Sequence, residues 1–210
     1  KYPKANRNLD DRAAKKSEED RKIARKFDKE FFDGDRKHGY GGFSYNPKYW
    51  GEVVKTFRDH WNLNEKSSLL DVGCAKGFMI NDFKELIPKM KVAGVDISEY
   101  AINNSMTTVK KYLSVSDAKS LPYDDNSFDY VISINTIHNL EKKSCGQALR
   151  EIQRVSKLGA FVTVDAFHNE DEKERMYKWN LTAKTIMSVN EWKEFFKENH
   201  YSGNFFWFIP

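Results

Sequence analysis

The sequence predicts a doubly wound α/β fold: a mainly parallel sheet of six to seven strands behind an N-terminal helical and lid extension. Short apolar runs that read as buried strands alternate with stretches whose apolar residues recur at helical spacing. The first of these strands, Ser68 to Val72, leads through a turn bracketed by Gly73 and Gly77 into a helix. The length of 210 residues, 31% charged and 40% hydrophobic, fits a chain that can bury a good core.

In order, residues 1–16 are polar, a composition that predicts a mobile arm. Ser17-Glu18-Glu19-Asp20 reads as a capped helix start. Ile23, Ala24, Phe27 and Phe31 then line one face of an amphipathic helix that Gly34 ends. Such a face must dock on the body or on a second copy, so a homodimer through this helix is one expectation. His38 to Trp50 carries three glycines and five aromatics. It reads as a lid over bound ligand or as an aromatic plug of the core. Residues 1–50 are thus expected as a charged helix and lid, and 51–210 as the main domain, entered by a helix from Val53 to Trp61.

After the first strand, Met79, Ile80, Phe83, Leu86 and Ile87 have helical spacing, and Pro88 stops them. Val92 to Asp96 is a second strand ending in an acid, and Ser98 caps a helix with Ala101, Ile102, Ser105, Met106 and Val109 inward. Tyr112 to Val115, Phe128 to Ile134 and Phe161 to Asp165 read as the third, fourth and fifth strands. A helix marked by Ala148, Leu149, Ile152 and Val155 lies between the last two. Glu170 to Asn180 predicts a helix, and Thr182 to Ser188 an extended piece. Asn190 is expected to cap a helix using Trp192, Phe195 and Phe196, before a last strand from Phe205 to Ile209. The two late extended pieces are expected to pair antiparallel at one sheet edge.

The chemistry gathers at the strand C-termini, where open α/β sheets bind ligands. The glycine turn reads as a cofactor turn, since a side chain there would hold a ligand away from the backbone, or as a structural turn. Asp96 can accept hydrogen bonds from ribose hydroxyls, or cap the helix that follows. Asp117-Ala118 after the third strand can read an adenine edge, or Asp117 is an ordinary loop acid. Asn135 to Asn139 follows the fourth strand, at the same edge of the sheet. His138 there is a candidate base, because histidine titrates near neutral pH, or a structural histidine. Tyr40 and Tyr45 in the aromatic loop, with Trp179 and Asn180, are candidate substrate contacts.

These stretches resemble class I S-adenosylmethionine-dependent methyltransferases. Leu69 to Gly77 resembles their motif I, and Gly94-Val95-Asp96-Ile97-Ser98 their second-strand motif. Asp117-Ala118 with Leu121 to Val131 is similar to the run into their fourth strand, and Leu149 to Gly159 to the next helix and turn. The resemblance covers roughly residues 50 to 200 and implies a Rossmann-like fold, with S-adenosylmethionine as cofactor and S-adenosylhomocysteine as product. It implies that Gly73 to Gly77 and Asn135 face the methionine part and that Asp71 fixes the turn and reaches the amino group. It also implies that Asp96 takes the ribose, Ile97 lies under the adenine, and Asp117 and Ala118 read its edge. Ala75 stands where the family has its middle glycine, and the G-x-G-x-x-G of a nicotinamide dinucleotide site is not met.

Substrate class follows from absences. There is no Asn-Pro-Pro-Tyr-type run for base amino groups, no Pro-Cys nucleophile and no appended RNA-binding module. The net charge of +4 sits in residues 1–40, which hold 13 Lys/Arg against 9 Asp/Glu, and the rest is neutral. A nucleic-acid partner is therefore not expected. The expected function is methyl transfer to oxygen or nitrogen of a small molecule. The helix, loop and body resemble bacterial methyltransferases of sugar, capsule and lipopolysaccharide pathways, so a sugar or cell-surface polysaccharide precursor is the expected acceptor. The alternatives are a non-catalytic S-adenosylmethionine-binding regulatory module and an RNA methyltransferase. Cys74 and Cys145 form no C-x-x-C, and no metal ligand cluster emerges, so no metal is expected. With no apolar run long enough to span a membrane, and no signal sequence, a cytoplasmic, reducing location is expected.

Overall fold

β1 (Ser68–Val72) is the strand on which the rest of the sheet is laid. It pairs with β2 (Lys91–Asp96) on one side and β4 (Phe128–Ile134) on the other, both parallel. β3 (Leu113–Val115) extends the β2 side. β5 (Ser156–Phe167) extends the β4 side and carries both β6 (Met187–Ser188) and β7 (Asn204–Phe208) along its length. The result is a seven-stranded sheet, order β3-β2-β1-β4-β5-β6, with β7 also on β5. The structure, a computed structural model, describes residues 16–40 and 44–210. The arm expected over 1–16, apart from Lys16, and the Gly41-Gly42-Phe43 part of the aromatic loop lie outside the described residues.

Helices cover both faces, which is why the strands are near-continuous apolar runs. α3 (Pro47–Trp61) and α4 (Phe78–Leu86) pack Phe57, Ile80 and Phe83 with Leu69 and Ile132. α6 (Lys142–Val155) and α8 (Val189–Glu198) pack Leu149, Ile152 and Trp192 with Leu70, Val72 and Val131. Neighbouring strand residues fall in opposite layers, as the period of two requires. Burying each such side chain stabilises the fold by roughly 1.5–3 kcal/mol.

Several expected boundaries move. The N-terminal helix is two: α1 (Glu18–Ala24), capped by a Ser17–Asp20 box, and α2 (Lys29–Phe32), capped by Asp28. Phe27 between them takes φ 51°, which no helix continues through. Its ring packs edge-on against Phe31 instead. α3 starts at Pro47, with Asn46 as its cap, and so runs across the expected boundary at residue 50. α5 (Glu99–Asn103) is a short helix capped by Ser98, with Ser105, Met106 and Val109 beyond its end. α7 (Glu170–Trp179) is capped by Asn169. The cap of α8 is Ser188, whose hydroxyl and backbone form a box with Glu191, rather than Asn190. β6 and β7 are parallel to β5, not antiparallel to one another. β5 was expected over five residues; it runs through Gly159, where a turn was expected, and its full twelve accommodate both late strands.

The N-terminal segment docks on the chain's own body. Lys16 Nζ donates to Trp179 O at 2.7 Å, Arg21 Nη1 to Asn180 O at 2.5 Å and Arg25 Nε to Thr182 O at 3.4 Å. Ala24 and Phe32 are buried, while Ile23, Phe27 and Phe31 of the expected apolar face are half-buried. Among the described residues no helix is long and apolar enough to cross a membrane.

Candidate functional site

The glycine turn leaves β1 and folds over the end of β2. Gly73 N donates to Val95 O at 2.7 Å and Cys74 N to the same oxygen at 3.0 Å. Gly73 and Gly77 take φ 87° and 79°, and Ala75 between them takes φ 50°. Glycine is needed at the first position for packing as well: a Cβ on Gly73 would stand 2.1 Å from Thr136 Oγ1. One on Gly77 would stand 2.7 Å from Leu113 Cδ1. The space denied to a side chain is thus filled by neighbouring protein. Ala75 carries the left-handed strain itself, about 1–2 kcal/mol, and its N–H donates to Asp96 Oδ2 at 2.8 Å.

Asp71 and Asp96 bring two buried carboxylates to this corner. Burial, with the Asp96 charge adding to it, pushes the Asp71 carboxyl up to about 7. Burial also raises Asp96, against backbone N–H groups of Ser98, Ala75 and Ile97 that favour its charge. Asp96 Oδ1 accepts from Ser98 N at 2.8 Å, while Ser98, not Asp96, caps α5. Three backbone donors on about four lone-pair sites leave the Asp96 carboxylate room for an incoming hydroxyl. Beside it Ile97 is 55% exposed, an apolar shelf large enough for a ring. Asp117 accepts from Lys119 N at 2.9 Å and lies 3.1 Å from Lys119 Nζ.

The other end is built from β4, β5 and the aromatic loop. Asn135 leaves β4 at φ 54°, and its N–H donates to Thr163 O at 3.1 Å. A single 3₁₀ turn, Ile137–Asn139, then carries His138 inward. His138 Nδ1 accepts the backbone N–H of Asp165 at 3.0 Å, and Nε2 lies 3.8 Å from Asp165 Oδ2. Burial lowers His138 and raises Asp165, each partly offset by the other's charge. The Tyr40 ring lies 5.5 Å from that of Trp179, tilted by 31°, and Trp179 meets Phe208 at 5.8 Å. The Tyr40 hydroxyl accepts from Leu181 N at 2.9 Å and Thr182 N at 3.2 Å.

One cavity of about 980 Å³ joins the two ends. Asp71, Gly73, Ala75, Asp96, Ile97, Asp117, Ala118 and Asn135 line it, with His138, Tyr40 and Trp179. Three predicted residues stand off it. Gly77 starts α4. Tyr45 is turned away: its hydroxyl donates to Asp82 Oδ1 at 2.6 Å and its ring meets Phe78. The Asn180 side chain closes a local turn on Ala183 N and O, at 2.8 and 2.9 Å. Neither has its side chain free to meet a substrate in this conformation. Asp165 was missed, although it closes the fifth strand as the sequence predicts that strand, just as Asp96 closes the second, and that parallel was the available signal. Lys76, within the turn, was missed too; its Nζ holds Asp33 Oδ1 and Oδ2 at 2.5 and 2.7 Å, tying the N-terminal segment over the cavity.

Residues 70–164 match the family model described as a methyltransferase domain. The chain is 28% identical over 127 residues to the malonyl-[acyl-carrier protein] O-methyltransferase of Legionella pneumophila, 59% of this chain and 44% of that one. It is 34% identical over 134 residues to the tRNA (carboxymethyluridine(34)-5-O)-methyltransferase of Arabidopsis thaliana, 62% of this chain and 31% of that one. It thus spans less than half the length of either. Among solved structures, it resembles a Haloferax volcanii methyltransferase complexed with the Trm112 methyltransferase activator, with a TM-score of 0.59 at 19% identity. The match covers 93% of this chain and 77% of that one. Residues 70–164, a little under half of the chain, thus match a methyltransferase domain, and the fold is that of the solved methyltransferase it resembles.

Proposed function

We propose that the chain transfers a methyl group from S-adenosylmethionine to oxygen or nitrogen of a small molecule. The observation that carries this is the single cavity with two unlike ends. One end has acids and an apolar shelf, and the other has aromatic walls around a buried His138–Asp165 pair.

The residues present fit the cofactor. Ile97 supplies the shelf for the adenine, Asp96 the ribose acceptors, and Asp117 with Ala118 the adenine edge. Asp71 faces the amino group, and Gly73, Ala75 and Asn135 surround the methionine part. When bound, the cofactor supplies a methyl carbon on a sulfonium, already joined to a good leaving group. The chain's share of catalysis is then alignment, exclusion of water and proton removal. Tyr40, Trp179 and Phe208 wall the acceptor end, and the Asp33–Lys76 pair holds the N-terminal segment across its approach. Flat aromatic faces beside the polar edge of Thr182 suit a sugar ring, which supports a sugar or cell-surface polysaccharide precursor as acceptor. The His138–Asp165 pair is the site of proton transfer.

An RNA acceptor is the second reading, favoured by the tRNA-modifying relative. Against it, Lys16, Arg21 and Arg25 of the basic head turn inward onto backbone carbonyls. Calorimetry with S-adenosylhomocysteine, followed by a transfer screen on sugars, phosphorylated metabolites and RNA, tests both. Binding with transfer to a small molecule is the expected result. Transfer to RNA alone would replace it with the second reading, and binding without any transfer would leave a regulatory module.

A further inference from the structure

His138 and Asp165 are fixed to one another by a bond that decides which of them can take a proton. The backbone N–H of Asp165 points at His138 Nδ1 at 3.0 Å, so Nδ1 presents its lone pair there. A neutral ring in that state carries its proton on Nε2. Nε2 faces the carboxylate of the same Asp165, 3.8 Å from Oδ2. Neither ring nitrogen is then open to a proton from an acceptor, while the carboxylate is. We propose that Asp165 is the proton acceptor of the reaction, that His138 positions it, and that the acceptor group is therefore a hydroxyl. The inference rests on the methyltransferase reading above.

Asp165 lines the cavity beside Tyr40, Trp179 and Phe208. Among the described residues, His138 and Tyr40 are titratable groups that feel its charge. The Tyr40 hydroxyl is engaged by two backbone N–H groups and lies 3.3 Å from Thr182 Oγ1, so it is not a competing base. Burial lifts Asp165 above the ordinary carboxylate range, in the direction a general base working near neutral pH needs.

The class of acceptor follows from the same carboxylate. A neutral amine already presents its lone pair and needs no base, so a dedicated proton acceptor is of least use to it. A hydroxyl has the opposite need, since it becomes an adequate nucleophile only as its proton leaves. In the step, the acceptor oxygen forms a bond to the methyl carbon while the carbon–sulfur bond breaks. The bonding pair stays on sulfur, which passes from sulfonium to thioether. The hydroxyl proton goes to the Asp165 carboxylate and returns to solvent after product leaves.

Nitrogen-15 histidine spectra of the full chain saturated with S-adenosylhomocysteine test the tautomer without turnover. The expected spectrum shows His138 neutral, protonated at Nε2 only, across neutral pH; a ring protonated at Nδ1 overturns the proposal. Incubation with methyl-deuterated S-adenosylmethionine and the small-molecule extract of the source cells tests the acceptor. A labelled methyl ether is expected, and a labelled N-methyl product overturns it. On that product, Asp165→Asn is expected to lower kcat by at least about 10²-fold with unchanged affinity for S-adenosylhomocysteine, and Asp165→Glu to recover part of it. His138→Gln is expected to shift the acid limb of the kcat/KM profile. Full kcat in Asp165→Asn overturns the proposal. Tight S-adenosylhomocysteine binding with no labelled product overturns the parent transferase reading instead, and the inference with it.

Discussion

The backbone N–H of Ala75 donates to Asp96 Oδ2 at 2.8 Å, so the carboxylate that ends β2 holds the turn that leaves β1. Its other oxygen accepts from Ser98 N and shapes the entry to α5. One buried acid thereby fixes two loops of the cofactor corner, and disturbing either loop disturbs both.

The residue at the middle of the turn is the first point of leverage. Ala75→Gly removes left-handed strain of about 1–2 kcal/mol, offset in part by the greater freedom of glycine in the unfolded chain. The expected outcome is a stability within about 1 kcal/mol of the parent and intact cofactor affinity. Ala75→Val puts a β-branched residue at φ 50°. It is expected to lower stability by roughly 2 kcal/mol and to weaken cofactor binding. Urea unfolding and calorimetry read the two effects separately.

Asp71 makes stability depend on pH in an unusual sense. Its folded value is pushed up to about 7 from the ordinary 3.8. Between those values the folded chain binds a proton that the unfolded chain does not, so this residue's contribution falls as pH rises from about 4 to about 7. Asp71→Asn is expected to flatten that slope in urea melts taken at successive pH values. A cationic cofactor favours the charged carboxylate, so affinity for S-adenosylmethionine is expected to rise with pH and level off above about 7. An Asp71→Asn slope equal to the parent's would count against the assignment.

Removing the Tyr40 hydroxyl leaves two backbone donors, Leu181 N and Thr182 N, without their acceptor. Tyr40→Phe is expected to cost about 1–3 kcal/mol and to loosen residues 179–182. Hydrogen exchange across that segment is the readout.

Asp33 ties the N-terminal segment to the turn through Lys76 and to α5 through the Tyr100 hydroxyl at 2.8 Å. Burial acts to raise its carboxyl, but the hydrogen bonds from Lys76 and Tyr100 outweigh it and hold the group below the usual range. Its contribution is therefore present at neutral pH and lost on acidifying below about 4. Asp33→Ala is expected to speed amide exchange over residues 17–40 and to leave the exchange of β1 and β4 unchanged.

What the sequence showed best was what depends on burial pattern. Phe128 to Ile134 is a strand at the predicted bounds because it is buried between two neighbours and has a single reading. Asp96 was identifiable because strand, acid and helix cap follow one another in four residues. Less legible were features that depend on distant partners. Nothing local in Phe27 announces φ 51°, which arises where the segment turns to lay Phe31 and Phe32 against the body. The parallel course of β7 depends on how far α8 carries the chain back across the sheet. Asp165 looked like any strand-ending acid until β4 and its 3₁₀ turn brought His138 beside it. Tyr45 and Asn180 had the right residue types in the right neighbourhood, but Asp82 and Ala183 bind their side chains first.

The most direct measurement is calorimetric titration of S-adenosylhomocysteine into the folded parent chain and into Asp96→Ala. The account predicts one site per chain in the parent and an affinity at least about tenfold weaker in the variant, the loss of charge-assisted hydrogen bonds to a diol. Absence of heat with the folded parent, or equal affinity in the variant, would contradict the assignment of this corner as the nucleoside site.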